Sequence, residues 1–184
     1  MGLAELLASA AVPKGSFYHY FTSKDDFGCQ LLASYVDQYL ARLDHTLGQG
    51  DWDMRARLMY YWSAWVKSQG SGDPAQQCLV VKIGAEISDL SDGMRRILDE
   101  GTAAITARLS AAIAEGQAEG GIDPGVKADV LGPALYQMWL GASLLAKLAR
   151  SPEPLHHAME ATQSLLPPPC RAASTEQQKG YDIT

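Results

Sequence analysis

Cys78 is the residue of this chain with the clearest potential for covalent chemistry. It follows the segment GDPAQQ, near the predicted start of a helix, where free backbone N–H groups and the positive end of the helix dipole favour a thiolate. A thiolate attacks electrophiles and is the form that oxidants modify first. The alternative is an inert, buried cysteine that serves as a small apolar side chain, and the local sequence leaves both possibilities open.

Lys147 is a second candidate because it interrupts the apolar segment LLAKLA. A lysine on an apolar helix face is unfavourable unless its ammonium group finds a partner or extends into water. An ammonium near a thiol would lower the pKa of that thiol, and an amine near a sulfenic acid could capture its sulfur. Extension into water is the alternative for Lys147.

Aromatic side chains are candidates for the walls of a ligand pocket. They come from an aromatic-rich helical segment and from the penultimate predicted helix: Tyr61, Trp65, Tyr136 and Trp139. Aromatic stripes at helical spacing also form hydrophobic cores, so both roles are open. The other cysteines are not sensing candidates, because Cys29 is expected to pack on a helix and Cys170 lies in a polar tail.

A different kind of chemistry is indicated by AAVPKGSFYHYFTSKDDF, at residues 10–27, which places four aromatics within five residues. Two short helices separated by Pro13 predict a helix-turn-helix, whose second helix can enter the major groove of DNA. The side chains expected to contact phosphates or bases are Lys14, Ser16, Tyr18, His19, Tyr20 and Lys24. Phe17 and Phe21 share one face and are expected to seat this helix on a small core. A purely structural packing role for the aromatics is the alternative.

Helices are predicted throughout, so the expected fold class is all-α. Ser23 is predicted to cap a long helix whose first turn contains Asp25 and Asp26 and whose end lies near residues 48–50. Further helical segments are predicted at about 53–68, from about 76, after SDG, at 127–149 and at about 155–166. The segments GSGDP and EGGIDPG are predicted breaks between helices.

The bulk composition excludes several classes of protein. No apolar run approaches the ~18 residues of a membrane span. An odd number of widely spaced cysteines argues for a reducing cytoplasm rather than a disulfide framework. The sequence shows no cysteine or histidine cluster with metal-ligand spacing, so we expect no bound metal. It also shows no Ser/His/Asp set, phosphate-binding glycine loop or carboxylate pair in a plausible cleft, so we expect no cofactor and no enzymatic activity. The net charge is −6, but residues 1–24 carry +1 and the remainder −7, so a cationic end can still dock on phosphates.

The segment LAELLASAAVPKGSFYHYFTSKDDF resembles the DNA-binding signature of the TetR family of transcriptional repressors. The resemblance implies that Lys14, Tyr18 and Lys24 contact phosphates, and that Ser16 and His19 reach towards bases. It also implies a helix-turn-helix domain followed by a helical ligand-binding and dimerisation domain.

The start of the chain departs from that family pattern. In the family a first helix with a basic arm precedes the matched segment, and we expect this helix to be missing because the chain begins at Met1. The implied organisation is a truncated helix-turn-helix domain at 1–24, a helical ligand-sensing and dimerisation domain at 25–166 and a disordered tail at 167–184.

Two later segments, CLVVKIGAEISDLSDGMRRILDEG and LYQMWLGASLLAKLARSPEPLHHAM, are similar to an electrophile-, oxidant- and acrylate-responsive subgroup of this family. The similarity supports a reactive Cys78. It also implies a pairing of Cys78 with Lys147, since their 69-residue separation fits that subgroup. The last two helices would then pair with their copies in a second subunit.

The expected function is that of a cytoplasmic repressor. A homodimer would bind a palindromic double-stranded DNA operator, and a small electrophile, oxidant or ligand acting at or near Cys78 would release it. The alternative is a dimeric ligand-binding or interaction module that has lost DNA binding through N-terminal truncation. An enzyme is the rival from another class, and the missing catalytic motifs argue against it.

Overall fold

The computed structural model describes residues 2–48, 50–70 and 78–168, and this part of the chain is helical without a strand. Its helices are α1 (Leu3–Ser9), α2 (Lys14–Tyr20), α3 (Lys24–Leu47), α4 (Met54–Gly70), α5 (Leu79–Leu90), α6 (Asp92–Ala118), α7 (Ala128–Ala149) and α8 (Glu153–Leu165). The expected all-α class is confirmed. Most of the predicted GSGDP break and nearly all of the predicted tail lie outside the described residues.

The ends of the long helix α3 follow the local sequence. Ser23 is its N-cap and accepts a hydrogen bond from the backbone N–H of Asp26 at 3.0 Å, as predicted. At the other end the Arg57 guanidinium donates to the backbone carbonyl of Leu47 at 3.0 Å and to that of Trp52 at 2.7 Å. The bond to Leu47 satisfies a carbonyl that the end of α3 leaves open, and the two bonds together fix the turn into α4.

The break between α6 and α7 depends on the glycines of EGGIDPG. Gly120 has φ +74°, a left-handed conformation that a side chain disfavours. The N–H groups of Gly121 and Ile122 both donate to the carbonyl of Gly116, which turns the chain back. Ile122 is completely buried and therefore anchors this turn on the core. The first residue of the predicted tail, Pro167, accepts a hydrogen bond from the backbone N–H of Asp123.

Helix α6 lies at the centre of the body and packs against α3, α4, α5 and α7, while α8 packs against α7 and α4. The core between them contains Trp62 and Trp139, both completely buried, with stacked rings 4.9 Å apart. Gly132 of α7 allows the closest approach, since a Cβ there would lie 2.8 Å from the backbone nitrogen of Ser110 on α6. No helix within the described ranges is long and apolar enough to cross a bilayer.

A small aromatic cluster holds α2 on the start of α3. Phe17 is 4% exposed, and its ring centroid lies 5.1 Å from that of Phe21 and 5.6 Å from that of Phe27. Aromatic pairs at such distances add to the free energy of simple burial. The cluster sets the orientation of the exposed face of α2 relative to α3, as the spacing of Phe17 and Phe21 predicts.

Candidate functional sites

The exposed face of α2 is the first candidate site. All of the side chains expected to contact DNA are exposed: Lys14, Ser16, Tyr18, His19, Tyr20 and Lys24. Tyr20 is 74% exposed, and the ammonium of Lys14 lies 5.9 Å from the centre of the Tyr18 ring. Cations and hydroxyls displayed on one short helix, with Phe17 turned inwards, match what docking on phosphates and groove edges requires.

A cavity of about 480 Å³ between α3 and α4 is the second candidate site. Its walls contain four aromatic side chains and the thiol of Cys78. The lining residues are Tyr35, Tyr39, Arg42, Leu43, Thr46, Tyr61, Ala64, Trp65, Ser68, Gln69 and Cys78. Its volume is within the range of small-molecule sites. Arg42 is the charged residue of this wall, and its guanidinium carbon lies 5.7 Å from the centre of the Tyr39 ring.

Cys78 occupies the predicted position at a helix start, because it is the N-cap of α5. The predicted preference for thiolate is wrong for the resting protein. Only 5% of Cys78 is exposed, and this burial raises the pKa of the thiol, outweighing the N–H groups of Val81 and Val80 and the hydroxyl of Tyr35. Desolvation penalises the charged form more than these dipoles favour it.

Phenol groups surround Cys78 from several helices. The hydroxyls of Tyr39 and Tyr61 lie 2.6 Å apart, and burial raises the pKa of both well above that of an ordinary tyrosine. The hydroxyl of Tyr35 accepts a hydrogen bond from the backbone N–H of Leu79 at 3.1 Å. The site therefore contains neutral hydroxyl donors next to a neutral thiol.

The aromatic residues predicted to line a pocket divide into two groups. Tyr61 and Trp65 line the cavity, and Tyr136 faces Cys78 across a narrow gap of about 10 Å³. Trp139 is corrected to a core residue, because it is completely buried against Trp62 and its indole N–H donates to the hydroxyl of Thr162 at 2.9 Å. Helical spacing could not separate these roles, since both sets lie on inward faces.

Lys147 is exposed and lines a separate cavity of about 320 Å³ together with Lys82 and Arg150. Its side chain therefore extends towards water, which is the alternative predicted for it. Gln69 borders both this cavity and the one that contains Cys78. The pairing of Lys147 with Cys78 stays a prediction.

Sequence reasoning did not identify the α3 residues of the cavity, which are Tyr35, Tyr39, Arg42, Leu43 and Thr46. Tyr35 and Tyr39 belong to an apolar stripe that recurs every four residues along α3 from Phe27 to Leu47, a pattern that is also typical of a core. A signal was present, since two tyrosines one turn apart bring hydroxyls into a stripe otherwise suited to leucine, and buried hydroxyls need partners.

The outer faces of α7 and α8 form an apolar surface. Leu144, Leu145 and Leu148 are 47%, 57% and 72% exposed, and Leu145 borders a shallow groove between the two helices. Exposed leucines concentrated on one face are typical of surfaces that pack against another molecule.

Comparisons with known proteins agree with this geometry. Residues 55–162 match the family model described as the tetracyclin repressor-like C-terminal domain. Over 173 residues the chain is 39% identical to the HTH-type transcriptional repressor NemR of Escherichia coli (strain K12), and the alignment covers 92% of this chain and 85% of NemR. The chain belongs to the TetR family.

Further relatives of this TetR-family protein place it in the expected subgroup. It is 37% identical over 157 residues to the transcriptional regulator AcuR of Cereibacter sphaeroides, with 85% of this chain and 71% of AcuR covered. The crystal structure of reduced E. coli NemR has a TM-score of 0.87 to it at 38% identity, covering 92% of this chain and 88% of that one.

A second solved structure, of a putative TetR/AcrR-family regulator, has a TM-score of 0.80 at 45% identity, covering 91% of this chain and 89% of that one. The relatives are transcriptional regulators, which confirms that the protein is a regulator of the TetR type rather than an enzyme.

Proposed function

We propose that this TetR-type regulator binds a palindromic operator as a homodimer, and that a small electrophile, an oxidant or another small ligand releases it by acting at or near Cys78. The observation that carries the proposal is the shared cavity of Cys78 and α3. Because only three residues separate the end of α2 from the start of α3, a shift of α3 at the cavity wall would move α2, which carries most of the DNA-contacting surface.

The DNA contacts are assigned to the exposed face of α2 and to Lys24, the first residue of α3. Lys14, Tyr18 and Lys24 would bind phosphates, and Ser16 and His19 would reach base edges. The exposed hydroxyl of Tyr20 would add a further polar contact. A two-fold dimer would place two copies of α2 about one DNA turn apart, ~34 Å, in successive major grooves. Simultaneous binding by both copies is the property that a small shift of α3 would remove.

The dimer contact is assigned to the outer faces of α7 and α8. The exposed leucines there would pack against the same residues of a second chain, which makes a self-complementary two-fold interface. Gly141 lies on the groove between these helices and has open space around it, so a neighbouring helix could approach closely. Gly132, by contrast, serves the contact of α7 with α6 within the chain.

Release begins with chemistry at the sulfur of Cys78. An alkylating agent such as iodoacetamide would form a carbon–sulfur bond there and lose iodide, while the thiol proton passes to solvent. An unsaturated electrophile would instead bind the sulfur at one carbon of its double bond and take up a proton at the next. In both cases the adduct would occupy the cavity. An oxidant would convert the thiol to a sulfenic acid. If Lys147 turned towards the cavity, its amine could attack that sulfur, form a sulfur–nitrogen bond and release water. A coupling of roughly 1–3 kcal/mol is enough for a 5- to 150-fold loss of DNA affinity.

The test uses DNA selected from a randomised double-stranded pool by the unmodified full chain, and iodoacetamide as the electrophile. We expect a palindrome to be selected, and alkylation to weaken its binding at least fivefold in a fluorescence anisotropy titration. Cys78→Ser should bind the same DNA and resist iodoacetamide, whereas the matched variant Cys29→Ser should respond like the parent. Selection of no DNA, or full release of the Cys78→Ser variant, would overturn the proposal.

The dimer is tested separately by sedimentation velocity. Leu145→Glu places a carboxylate in the proposed interface and should yield monomers at concentrations where the parent is dimeric. Leu90→Glu is the control, because Leu90 is an equally apolar side chain, 80% exposed, at the end of a different helix, α5. Equal dimerisation of the parent and Leu145→Glu would place the interface elsewhere.

A further inference from the structure

We propose that Tyr35 is a positioning residue for Cys78: from α3 it caps the start of α5, holds its hydroxyl beside the sulfur, and links the chemical state of that sulfur to α3. This inference rests on the proposed sensing role of Cys78. It adds a residue that neither the sequence motifs nor the family similarity singled out, and it identifies a physical contact through which modification of Cys78 reaches α3.

The contact itself is a helix cap supplied by another helix. The first N–H groups of an α-helix have no partner within the helix, and the N-cap side chain usually supplies one. Cys78 is the N-cap of α5, but its side chain forms no cap hydrogen bond. The hydroxyl of Tyr35 takes over this task by accepting the N–H of Leu79 at 3.1 Å. Tyr35 thereby fixes the start of α5 to the middle of α3.

The same hydroxyl faces the sulfur. Tyr35 and Cys78 line both the 480 Å³ cavity and the narrow gap beside it. While its lone pair accepts the Leu79 N–H, the single O–H of Tyr35 remains to be donated. The adjacent sulfur of Cys78 can accept this O–H. The hydrogen bond is strongest when the sulfur is a thiolate, because hydrogen bonds to charged groups are stronger than those between neutral groups.

Tyr35 keeps its proton while the thiol titrates. Burial raises the pKa of Tyr35, with the proximity of Cys78 as the next cause, so the phenol stays a donor. Among the described residues, the other ionisable groups around Cys78 come from α3, α4 and α7, and they are Tyr39, Arg42, Tyr61 and Tyr136. Burial also raises the pKa of Tyr39, Tyr61 and Tyr136, so these phenols stay neutral too. If removing one hydroxyl changes the pH at which the Cys78 thiol titrates, the change can therefore be attributed to that hydroxyl.

Modification of the sulfur changes both the hydrogen bonding of the Tyr35 hydroxyl and the space around it. In an alkylated Cys78 the sulfur is a neutral thioether, a weak acceptor, and its new substituent needs space in the cavity that Tyr35 lines. The sulfur can then no longer become the thiolate that would accept the O–H of Tyr35 most strongly, and the substituent displaces this hydroxyl, so the cap on Leu79 weakens. The start of α5 becomes less firmly attached to α3, which is the helix that continues to the DNA-contacting surface.

The first experiment measures the pH dependence of Cys78 alkylation by iodoacetamide, with adduct formation followed by mass spectrometry of the full chain. We expect the midpoint of Tyr35→Phe to lie about one pH unit above that of the parent, which corresponds to one lost charge-assisted hydrogen bond. Below the midpoint the rate should fall about threefold rather than tenfold, because a thiolate of higher pKa is a better nucleophile.

Tyr39→Phe is the matched control. Tyr39 lies one turn further along α3 and lines the same cavity, but its hydroxyl pairs with that of Tyr61 at 2.6 Å. Its removal should leave the midpoint unchanged. An unchanged midpoint in Tyr35→Phe, or an equal shift in Tyr39→Phe, would overturn the role of Tyr35 and leave the proposed function standing. A parent Cys78 that does not react with iodoacetamide at any pH would overturn both the role of Tyr35 and the proposed release by electrophiles.

A second measurement needs no substitution at Tyr35. Amide hydrogen exchange of Leu79 is compared by NMR in the unmodified parent and in the parent alkylated at Cys78. We expect exchange at Leu79 to become at least tenfold faster on alkylation, while amides in the middle of α6 keep their protection. Equal protection of Leu79 in the two forms would show that the cap does not respond to the sulfur, and would overturn the coupling.

Discussion

Replacing Phe17 by alanine is expected to release α2 from α3 without unfolding the rest of the protein. Within residues 2–23 the buried side chains are those of Leu7 and Phe17, so the small N-terminal unit has almost no core apart from them. Phe17 is 4% exposed and contacts the rings of Phe21 and Phe27. Truncating a buried phenylalanine to alanine typically costs about 3–5 kcal/mol.

The effect of Phe17→Ala depends on which part of the protein loses this free energy. About 3 kcal/mol raises the equilibrium constant for local opening roughly a hundredfold, since every 1.4 kcal/mol is a factor of ten. The aromatic cluster is separate from the main core, which lies around Trp62 and Trp139, so the cost should stay local. DNA affinity should fall with the fraction of molecules whose α2 remains seated.

The assay is amide hydrogen exchange resolved by helix, with DNA binding measured alongside. Protection of the α2 amides should be lost in Phe17→Ala, while α6 keeps its protection. Phe17→Leu should lose much less, because it refills most of the volume. Tyr20→Ala, at a position 74% exposed, should leave α2 protected and weaken only DNA binding. Undiminished α2 protection in Phe17→Ala, or simultaneous loss in α6, would refute this account of the aromatic cluster.

Three further outcomes are expected. Gly132→Ala should lower the free energy of unfolding by about 1–3 kcal/mol in urea titrations, because the new Cβ meets backbone atoms of α6, whereas Gly84→Ala, with ordinary contact distances, should be neutral or slightly stabilising. NMR titration should place the pKa of Asp26 below 3.8, because its carboxylate accepts hydrogen bonds from the Gln30 side chain and from the N–H and hydroxyl of Thr22. The stabilisation that these bonds give above pH 3.8 should be lost as the pH falls through the lower pKa of the folded state. Tyr61→Phe should cost about 1–3 kcal/mol in the same urea assay by leaving the partner hydroxyl on α3 buried and unpaired.

The helices and their ends could be predicted from the sequence because their causes are local. The hydroxyl of Ser23, the fixed φ of Pro13 and the glycines of EGGIDPG act on their own neighbours, so the start of α3 and the break before α7 followed from residue types. The helix predicted at SFYHYF begins two residues earlier, at Lys14, directly after Pro13. The exposed face of α2 was predictable for the same reason, since the spacing of Phe17 and Phe21 sets which side turns inwards.

The character of the sensing site was decided only by the tertiary structure. A helix start favours a thiolate at Cys78, but helices from elsewhere in the chain bury it, and the desolvation they impose raises its pKa. Tyr61 and Trp139 occupy similar inward positions, yet one lines a cavity and the other fills the core, because the distinction depends on what packs against each of them. The position of the Tyr35 hydroxyl at the start of α5, 44 residues away in sequence, likewise depends on how α3 and α5 pack. Local sequence specifies faces and caps, whereas burial and long-range contact depend on all the helices together.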